Sequence, residues 1–330
     1  MHNALFLLNT DAYDKIYGPE ERADLHKLVN IYAPQQTAAS VQADPSILSQ
    51  AEIILSGWGM PKLDAEFLAQ VPNLKAVFYG AGTIRYFTTD VFWKRNIPVT
   101  SAYAMNAVPV AEFTISQIFF SLKLGWRYVM ALKEAKRYVP RFVVPGSYKS
   151  TVGIISLGMI GRRVCELLQP FDVQILAYDP FVAQADVDHL NVDLCSLDDI
   201  FTRSDVVSLH TPWLPETVNM IRGTHLAAMK TDATFINTAR GAIVHEQEMI
   251  AVLQQRPDLT AVIDVTYPEP PEPGSPLFTL PNVILTPHIA GSLDTECRRM
   301  GRLVVDEVGR FVQGEPLQWA ISREKAALLA

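Results

Sequence analysis

The stretch Thr-Val-Gly-Ile-Ile-Ser-Leu-Gly-Met-Ile-Gly, residues 151–161, decides the fold. Five residues suited to a buried strand, Thr151–Ile155, run through a glycine-bearing turn into Met159–Leu168, which is apolar at helical spacing. A strand that becomes a helix in this way is the signature of a dinucleotide phosphate turn. Gly158 lets the backbone approach a pyrophosphate, and Gly161 lets helix and strand pack closely. The helix start at Gly158, Met159 and Ile160 supplies free N–H groups and the positive end of the helix dipole. One position is irregular: Ser156 stands where the fingerprint has its first glycine. A side chain there costs about 1–2 kcal/mol if the backbone is left-handed.

Downstream, Gln174–Tyr178 reads as the next strand and ends at Asp179, 18 residues after Gly161. An acid at that place takes the ribose hydroxyls of the adenosine half and repels a 2′-phosphate, which favours NAD over NADP. The plainer alternative is an acid that merely ends a strand before Pro180. Val206–Leu209, Thr234–Asn237, 259–264 and Val283–Leu285 continue the strand series. Upstream, 5–8, 28–32, 53–55, 74–79 and 98–101 are short apolar runs separated by helical patterns such as 63–69 and 88–94. Strands without polar alternation, joined by helices, predict parallel sheets covered on both faces. The apolar segment 110–124 bridges the two series as a core or interface helix, and the amphipathic tail 301–312 returns the chain to the first unit. The fold class is α/β, with two doubly wound parallel-sheet domains: 1–103 plus 292–330, and 104–291.

Composition agrees with this reading. A chain of 330 residues exceeds one ordinary core, and 49% apolar with 19% charged residues excludes a disordered chain. The formal charge of −7 argues against a polyanion-binding surface. Cys165, Cys195 and Cys297 lack the spacing of a disulfide framework or zinc knuckle, so no metal is expected. No apolar run approaches the roughly 18 residues of a membrane span, and the N-terminus lacks a secretory pattern. A cytoplasmic protein is the expectation, with neither nucleic acid nor membrane as partner.

Four segments at predicted strand ends carry the chemistry: His210-Thr211-Pro212, Asn237-Thr238-Ala239-Arg240-Gly241, Asp264 through Glu269-Pro270, and Thr286-Pro287-His288-Ile289-Ala290-Gly291-Ser292. Ligands of open α/β sheets bind beyond the carboxyl ends of the strands, where these segments can converge. An arginine, a histidine and acids are the parts for acid–base work on an anion.

In combination the last three segments resemble the D-isomer-specific 2-hydroxyacid dehydrogenases, over about residues 64–317. The resemblance implies a flavodoxin-like substrate domain beside a Rossmann NAD-binding domain, usually in a homodimer. It assigns catalysis to Arg240, Glu269 and His288 and places Asp264 on the nicotinamide side. Arg240 would hold a 2-oxo acid by its carboxylate and polarise the carbonyl. His288 would give the carbonyl oxygen its proton or take one from the alcohol, with Glu269 favouring the charged ring. His210, Thr211, Pro212, Thr217, Thr238, Ala239 and Gly291 would line the cofactor pocket with Gly158, Met159, Ile160 and Asp179, and His288 would reach it as well.

On the substrate side, Tyr79-Gly80-Ala81-Gly82-Thr83 resembles the family loop whose N–H groups hold the substrate carboxylate; a ligand-free tight turn is the plainer reading. The chain then departs from the family's Asp-Asn-Ile-Asp run with Ile84-Arg85-Tyr86-Phe87. Arg85 either meets a second anionic group or is merely solvated. Trp58 and Tyr103 are further wall candidates, although core packing explains Trp58 equally well. The alternative to an enzyme is a non-catalytic NAD(H)-sensing protein on the same scaffold. Glu269 argues against a formate dehydrogenase, which has glutamine there.

Overall fold

The computed structural model describes residues 1–328. The chain divides into two compact units, Met1–Ala107 with Ser292–Ala330, and Val108–Gly291. The division falls inside the helix Tyr103–Leu122, four residues after the expected boundary, because Tyr103 and Met105 in its first turn pack against the core of the first unit. Pro109 lies in the second turn of this helix and leaves the Met105 carbonyl without its usual i+4 donor.

In the first unit, five strands form one parallel sheet: β1 (Asn3–Leu7), β2 (Asn30–Ile31), β3 (Ile53–Ser56), β4 (Ala76–Tyr79) and β5 (Val99–Ser101), ordered β2-β1-β3-β4-β5. The expected strand at 28–32 shrinks to two residues. Helix Pro19–Leu28 takes its beginning, started by Pro19 and by Glu21, which accepts from the Gly18 N–H. The tail helix runs over Arg298–Gln313 and buries Met300, Leu303, Val304 and Val308 in the same core. It ends at Gly314, whose φ of +72° is the usual left-handed stop.

The second unit holds a seven-stranded parallel sheet: β6 (Thr151–Ile155), β7 (Gln174–Tyr178), β8 (Val192–Leu194), β9 (Val206–Leu209), β10 (Thr234–Asn237), β11 (Thr260–Ile263) and β12 (Val283–Leu285). Their order is β12-β11-β10-β9-β6-β7-β8, so the direction of winding reverses between β6 and β9. Register then does the positioning. Ile155 pairs with Tyr178 and with Leu209, Leu209 with Asn237, Asn237 with Ile263, and Ile263 with Leu285. The next residue on each strand, Asp179, Ser156, His210, Thr238, Asp264 and Thr286, therefore begins a loop along one sheet edge. Helix Gly125–Ala135 and edge strand β8 had no counterpart in the sequence reading.

Candidate active site

The irregular serine sits in the conformation a glycine would favour. Ser156 has φ +75°, in the left-handed region, and its N–H donates to the Tyr178 carbonyl at 2.8 Å. Asp179 stabilises the turn from the neighbouring strand: one carboxylate oxygen accepts from the Leu157 N–H at 2.8 Å and lies 3.4 Å from the Ser156 hydroxyl. Its other oxygen accepts from the Phe181 N–H at 2.9 Å. The expected ribose-binding acid thus also anchors the phosphate turn, a role that adjacent sheet register creates and linear spacing hides.

Gly158 and Gly161 are small for different reasons. A Cβ on Gly161 would lie 2.1 Å from the Ser156 carbonyl oxygen, so the close helix–strand packing is real. A Cβ on Gly158 would meet nothing within 4 Å. Gly158 is also the N-cap of Met159–Leu168, and no side chain caps that helix start. The space and the N–H groups around Gly158, Met159 and Ile160 suit a pyrophosphate.

Beyond β9, His210 and Thr211 are buried, and His210 Nδ1 and Thr211 Oγ1 have no hydrogen-bond partner among the described residues. His210 Nε2 lies 3.0 Å from the Ser208 hydroxyl, and burial pushes the imidazole down to about 3, so the ring is neutral near pH 7. Thr217 donates to the Pro212 carbonyl at 2.7 Å and accepts from the Leu214 N–H, which closes this loop on itself. Buried polar atoms left unpaired at the edge of a dinucleotide fold fit a polar ligand that completes them.

Beyond β10, the Thr238 hydroxyl lies 3.3 Å from that of Thr114. Asn237 braces the loop, accepting from the Ala239 N–H at 3.0 Å and donating to the Arg240 carbonyl at 3.2 Å. Arg240 Nη1 donates to the Ala239 carbonyl at 2.6 Å, which aims the guanidinium while leaving further donors. Burial pulls its basicity below the ordinary arginine value, and the charge of Glu269 opposes that pull. A Cβ on Gly241 would stand 2.0 Å from the Thr266 backbone, so only glycine lets the Arg240 loop lie against the Glu269 loop.

Glu269 and His288 meet beyond β11 and β12. His288 Nδ1 is 2.6 Å from Glu269 Oε1, and both side chains are close to half exposed. With Nδ1 committed to the carboxylate, Nε2 is the nitrogen available for proton transfer. His288 itself has φ +55°, a conformation that persists only where its surroundings hold it. Asp264 does the holding. Its carbonyl accepts from the His288 N–H at 2.9 Å. Its buried carboxylate accepts from the Thr286 hydroxyl at 2.6 Å and from the N–H groups of Ile289 and Ala290 at 2.8 and 2.9 Å. The residue expected to face nicotinamide is thus committed to shaping the 286–290 loop, which ends at Gly291. The Thr286 side chain and the Asn237 brace were missed; no motif spacing marks either. A cavity of about 720 Å³ opens beside the pair, lined by Glu269, His288, Leu277, Phe278 and Leu285 among others.

In the first unit, the Ser101 hydroxyl lies 3.0 Å from the Ala81 carbonyl and 2.5 Å from that of Gly82, which ties both carbonyls to one side of the loop. Among the described residues no acceptor meets the N–H groups of Gly82 and Thr83, and a Cβ on Gly82 would meet nothing within 4 Å. Open space and unpaired N–H groups suit a carboxylate. Trp58 and Arg85 are exposed. Tyr103 turns to the tail segment: its ring centroid is 6.0 Å from that of Trp319, and the Lys325 ammonium lies 5.3 Å from it.

Comparison with known proteins agrees with this fold. Residues 126–290 match the family model described as "D-isomer specific 2-hydroxyacid dehydrogenase, NAD binding domain". A glyoxylate reductase of Thermofilum pendens is 33% identical over 80% of this chain and 79% of its own length. A D-3-phosphoglycerate dehydrogenase of Archaeoglobus fulgidus is 29% identical over 79% of this chain, which spans about half the length of that relative. In fold, the NAD-complexed D-isomer specific 2-hydroxyacid dehydrogenase of Lactobacillus delbrueckii ssp. bulgaricus superposes with a TM-score of 0.82 at 22% identity, covering 97% of this chain and all of that one.

Proposed function

The chain belongs to the D-isomer-specific 2-hydroxyacid dehydrogenase family, and on that premise we propose that it interconverts a 2-oxo acid and its D-2-hydroxy acid with NAD(H). The observation that carries the reading is the 2.6 Å contact of His288 with Glu269 on the sheet edge that also bears Arg240 and the glycine turn. When bound, the dinucleotide supplies or accepts the hydride at C2 of the acid. The N–H groups of Gly158, Met159 and Ile160 would hold its pyrophosphate, Asp179 its ribose, and the unpaired atoms of His210 and Thr211 further polar groups. Asp179 favours NAD over NADP, since a 2′-phosphate would meet a carboxylate.

The remaining chemistry belongs to side chains of the chain itself. Arg240 binds the substrate carboxylate and polarises the carbonyl through separate arms of one guanidinium. His288 Nε2 delivers a proton to the carbonyl oxygen during reduction and removes it from the hydroxyl during oxidation. Glu269 accepts from Nδ1–H throughout, which orients the ring. In the first unit, the open N–H groups of Gly82 and Thr83 would by themselves suit a carboxylate.

A second copy of the chain is the partner this reading favours. Tyr138, Val143 and Tyr148 are strongly exposed within one segment after helix Gly125–Ala135, as apolar residues awaiting a subunit contact would be. A single species of monomer mass at micromolar concentration in sedimentation velocity would overturn the dimer. The activity itself is tested by following NADH absorbance with a panel of 2-oxo acids. Turnover on at least one acid should fall by roughly 10²–10⁴ in His288→Ala while NADH affinity is kept. An undiminished rate in that variant, with chemistry rate-limiting, would refute the assignment.

A further inference from the structure

The loop that carries Glu269 has little main chain to hold it. In Tyr267-Pro268-Glu269-Pro270-Pro271 the three prolines lack an N–H, so only Tyr267 and Glu269 can donate from the backbone. Among the described residues, the Glu269 carboxylate has His288 as its one hydrogen-bond partner. Whatever aims Glu269 must therefore act on the chain beside it, and the contacts gather at Tyr267.

The Tyr267 N–H donates to Glu246 Oε2 at 3.2 Å, at the first residue of helix Glu246–Gln255. Burial pushes the Glu246 carboxyl up, and that N–H opposes the push by stabilising the carboxylate. On either side of Tyr267, the Thr266 hydroxyl donates to the Pro268 carbonyl at 2.8 Å, so the chain is clamped across it. The Tyr267 ring meets that of Trp213 edge to face, with centroids 5.4 Å apart and planes at 74°. Trp213 is presented by a closed loop, since the Thr217 hydroxyl bonds its neighbours Pro212 and Leu214.

The ring pair also crosses the sheet edge. Trp213 follows β9 and Tyr267 follows β11, and β10, which leads to Arg240, lies between them. At about 4.8 Å per strand, the contact joins loops rooted roughly 10 Å apart. Trp213 is 40% and Tyr267 56% exposed, so neither ring is there to fill a core. We infer that Tyr267 is a positioning residue: with its ring braced by Trp213 and its N–H by Glu246, it fixes the backbone from which Glu269 reaches His288. Its consequence for turnover rests on the dehydrogenase reading above; its consequence for the His288 ring does not.

The test reads the His288 tautomer from the NMR shifts of its ring nitrogens, in the cofactor-free protein with the ring neutral. It also measures kcat, KM and NADH affinity with the best 2-oxo acid. The variants are Tyr267→Ala, Tyr267→Phe, Trp213→Ala and Trp213→Phe. In wild type the Glu269 contact should hold the Nδ1–H tautomer. Tyr267→Ala and Trp213→Ala should each release part of the ring to the Nε2–H tautomer. Each should also lower kcat about tenfold or more, with KM and NADH affinity kept within about twofold. Both phenylalanine variants keep a ring edge and should restore tautomer and kcat. Trp213 is half exposed, so Trp213→Ala carries the test if Tyr267→Ala fails to fold. In a protein that turns over, a tautomer or a kcat unmoved by the alanine variants overturns the positioning role and leaves the dehydrogenase reading intact. A loss confined to KM or NADH affinity does the same, because it marks rings that touch the ligands. A tautomer shifted by the alanine variants in a protein that reduces no acid keeps the positioning of Glu269 and overturns the dehydrogenase reading. Neither turnover nor a shifted tautomer overturns both.

Discussion

The two turn glycines separate a binding role from a packing role, and alanine substitutions read the two apart. At Gly158 a new Cβ meets no protein atom, and the residue already has an extended conformation that alanine adopts freely. Alanine is a poorer N-cap than glycine by some tenths of a kcal/mol, while it loses less entropy on folding by about 0.4–1 kcal/mol. These terms nearly cancel, so stability without cofactor should stay within about 0.5 kcal/mol of wild type. The methyl does enter the space through which a pyrophosphate would approach. NADH affinity should fall at least about tenfold, which corresponds to about 1.4 kcal/mol.

At Gly161 the balance reverses. The Cβ would lie 2.1 Å from the Ser156 oxygen, about 1 Å inside an ordinary carbon–oxygen contact. The oxygen cannot retreat easily, because the Ser156 N–H is bonded to Tyr178 and the next N–H to Asp179. Overpacking of this kind costs about 1–3 kcal/mol, against a helix-propensity gain of about 1 kcal/mol. A net loss of up to about 2 kcal/mol should lower Tm by up to about 8 °C, at roughly 2–4 °C per kcal/mol for a unit of this size. Thermal melts of the cofactor-free protein and NADH fluorescence titrations measure both quantities. Equal destabilisation by the two variants, or unchanged NADH affinity in Gly158→Ala, would refute the division of roles.

Glu269→Gln keeps the shape and an oxygen that can accept from Nδ1–H, but removes the negative charge beside the ring. It should lower kcat by about 10²-fold or more with little change in NADH affinity, as stopped-flow and titration would show. Asp264→Ala strips acceptors from Thr286, Ile289 and Ala290. At about 1–3 kcal/mol for each buried donor left unpaired, the denaturant midpoint should fall markedly and activity should be lost with it. His210 is neutral when folded, with its imidazole held down to about 3, against about 6.5 unfolded. Between those values the unfolded chain binds the extra proton. Stability should therefore fall as pH drops from about 6.5 toward 3, by up to about 1.4 kcal/mol per pH unit, and urea melts of His210→Asn should lack that component.

Regular strands in the second unit were legible to the residue: Thr151–Ile155, Gln174–Tyr178, Val206–Leu209, Thr234–Asn237 and Val283–Leu285 are apolar runs bounded by polar or turn residues. Burial on both faces of a parallel sheet makes most such runs nearly continuous in apolar residues. The first unit was less legible at its edge. Residues 28–32 look like a strand by composition, yet helix capping at Gly18 and Glu21 carries the helix through Leu28. Edge strands β2 and β8 present no continuous apolar run, because Asn30 opens β2 and Asp193 interrupts β8. Arg240, Glu269 and His288 stand out in the sequence by motif order at strand ends, and the structure brings His288 and Glu269 into contact.

What residue order by itself determined is the set of strand-end motifs, the glycine turn and the α/β class, since these depend on local spacing and hydrophobic runs. Tertiary structure alone decided the parts that depend on contact between distant residues. Ser156 adopts a left-handed backbone because Tyr178 and Asp179, more than twenty residues away, hold it there. Asp264 became the support of the His288 loop through parallel register between β11 and β12, which brings its carboxylate to N–H groups 25 and 26 residues downstream. A hydrogen bond of that range is set by which strands are neighbours, and strand neighbours are chosen by the packing of the whole sheet.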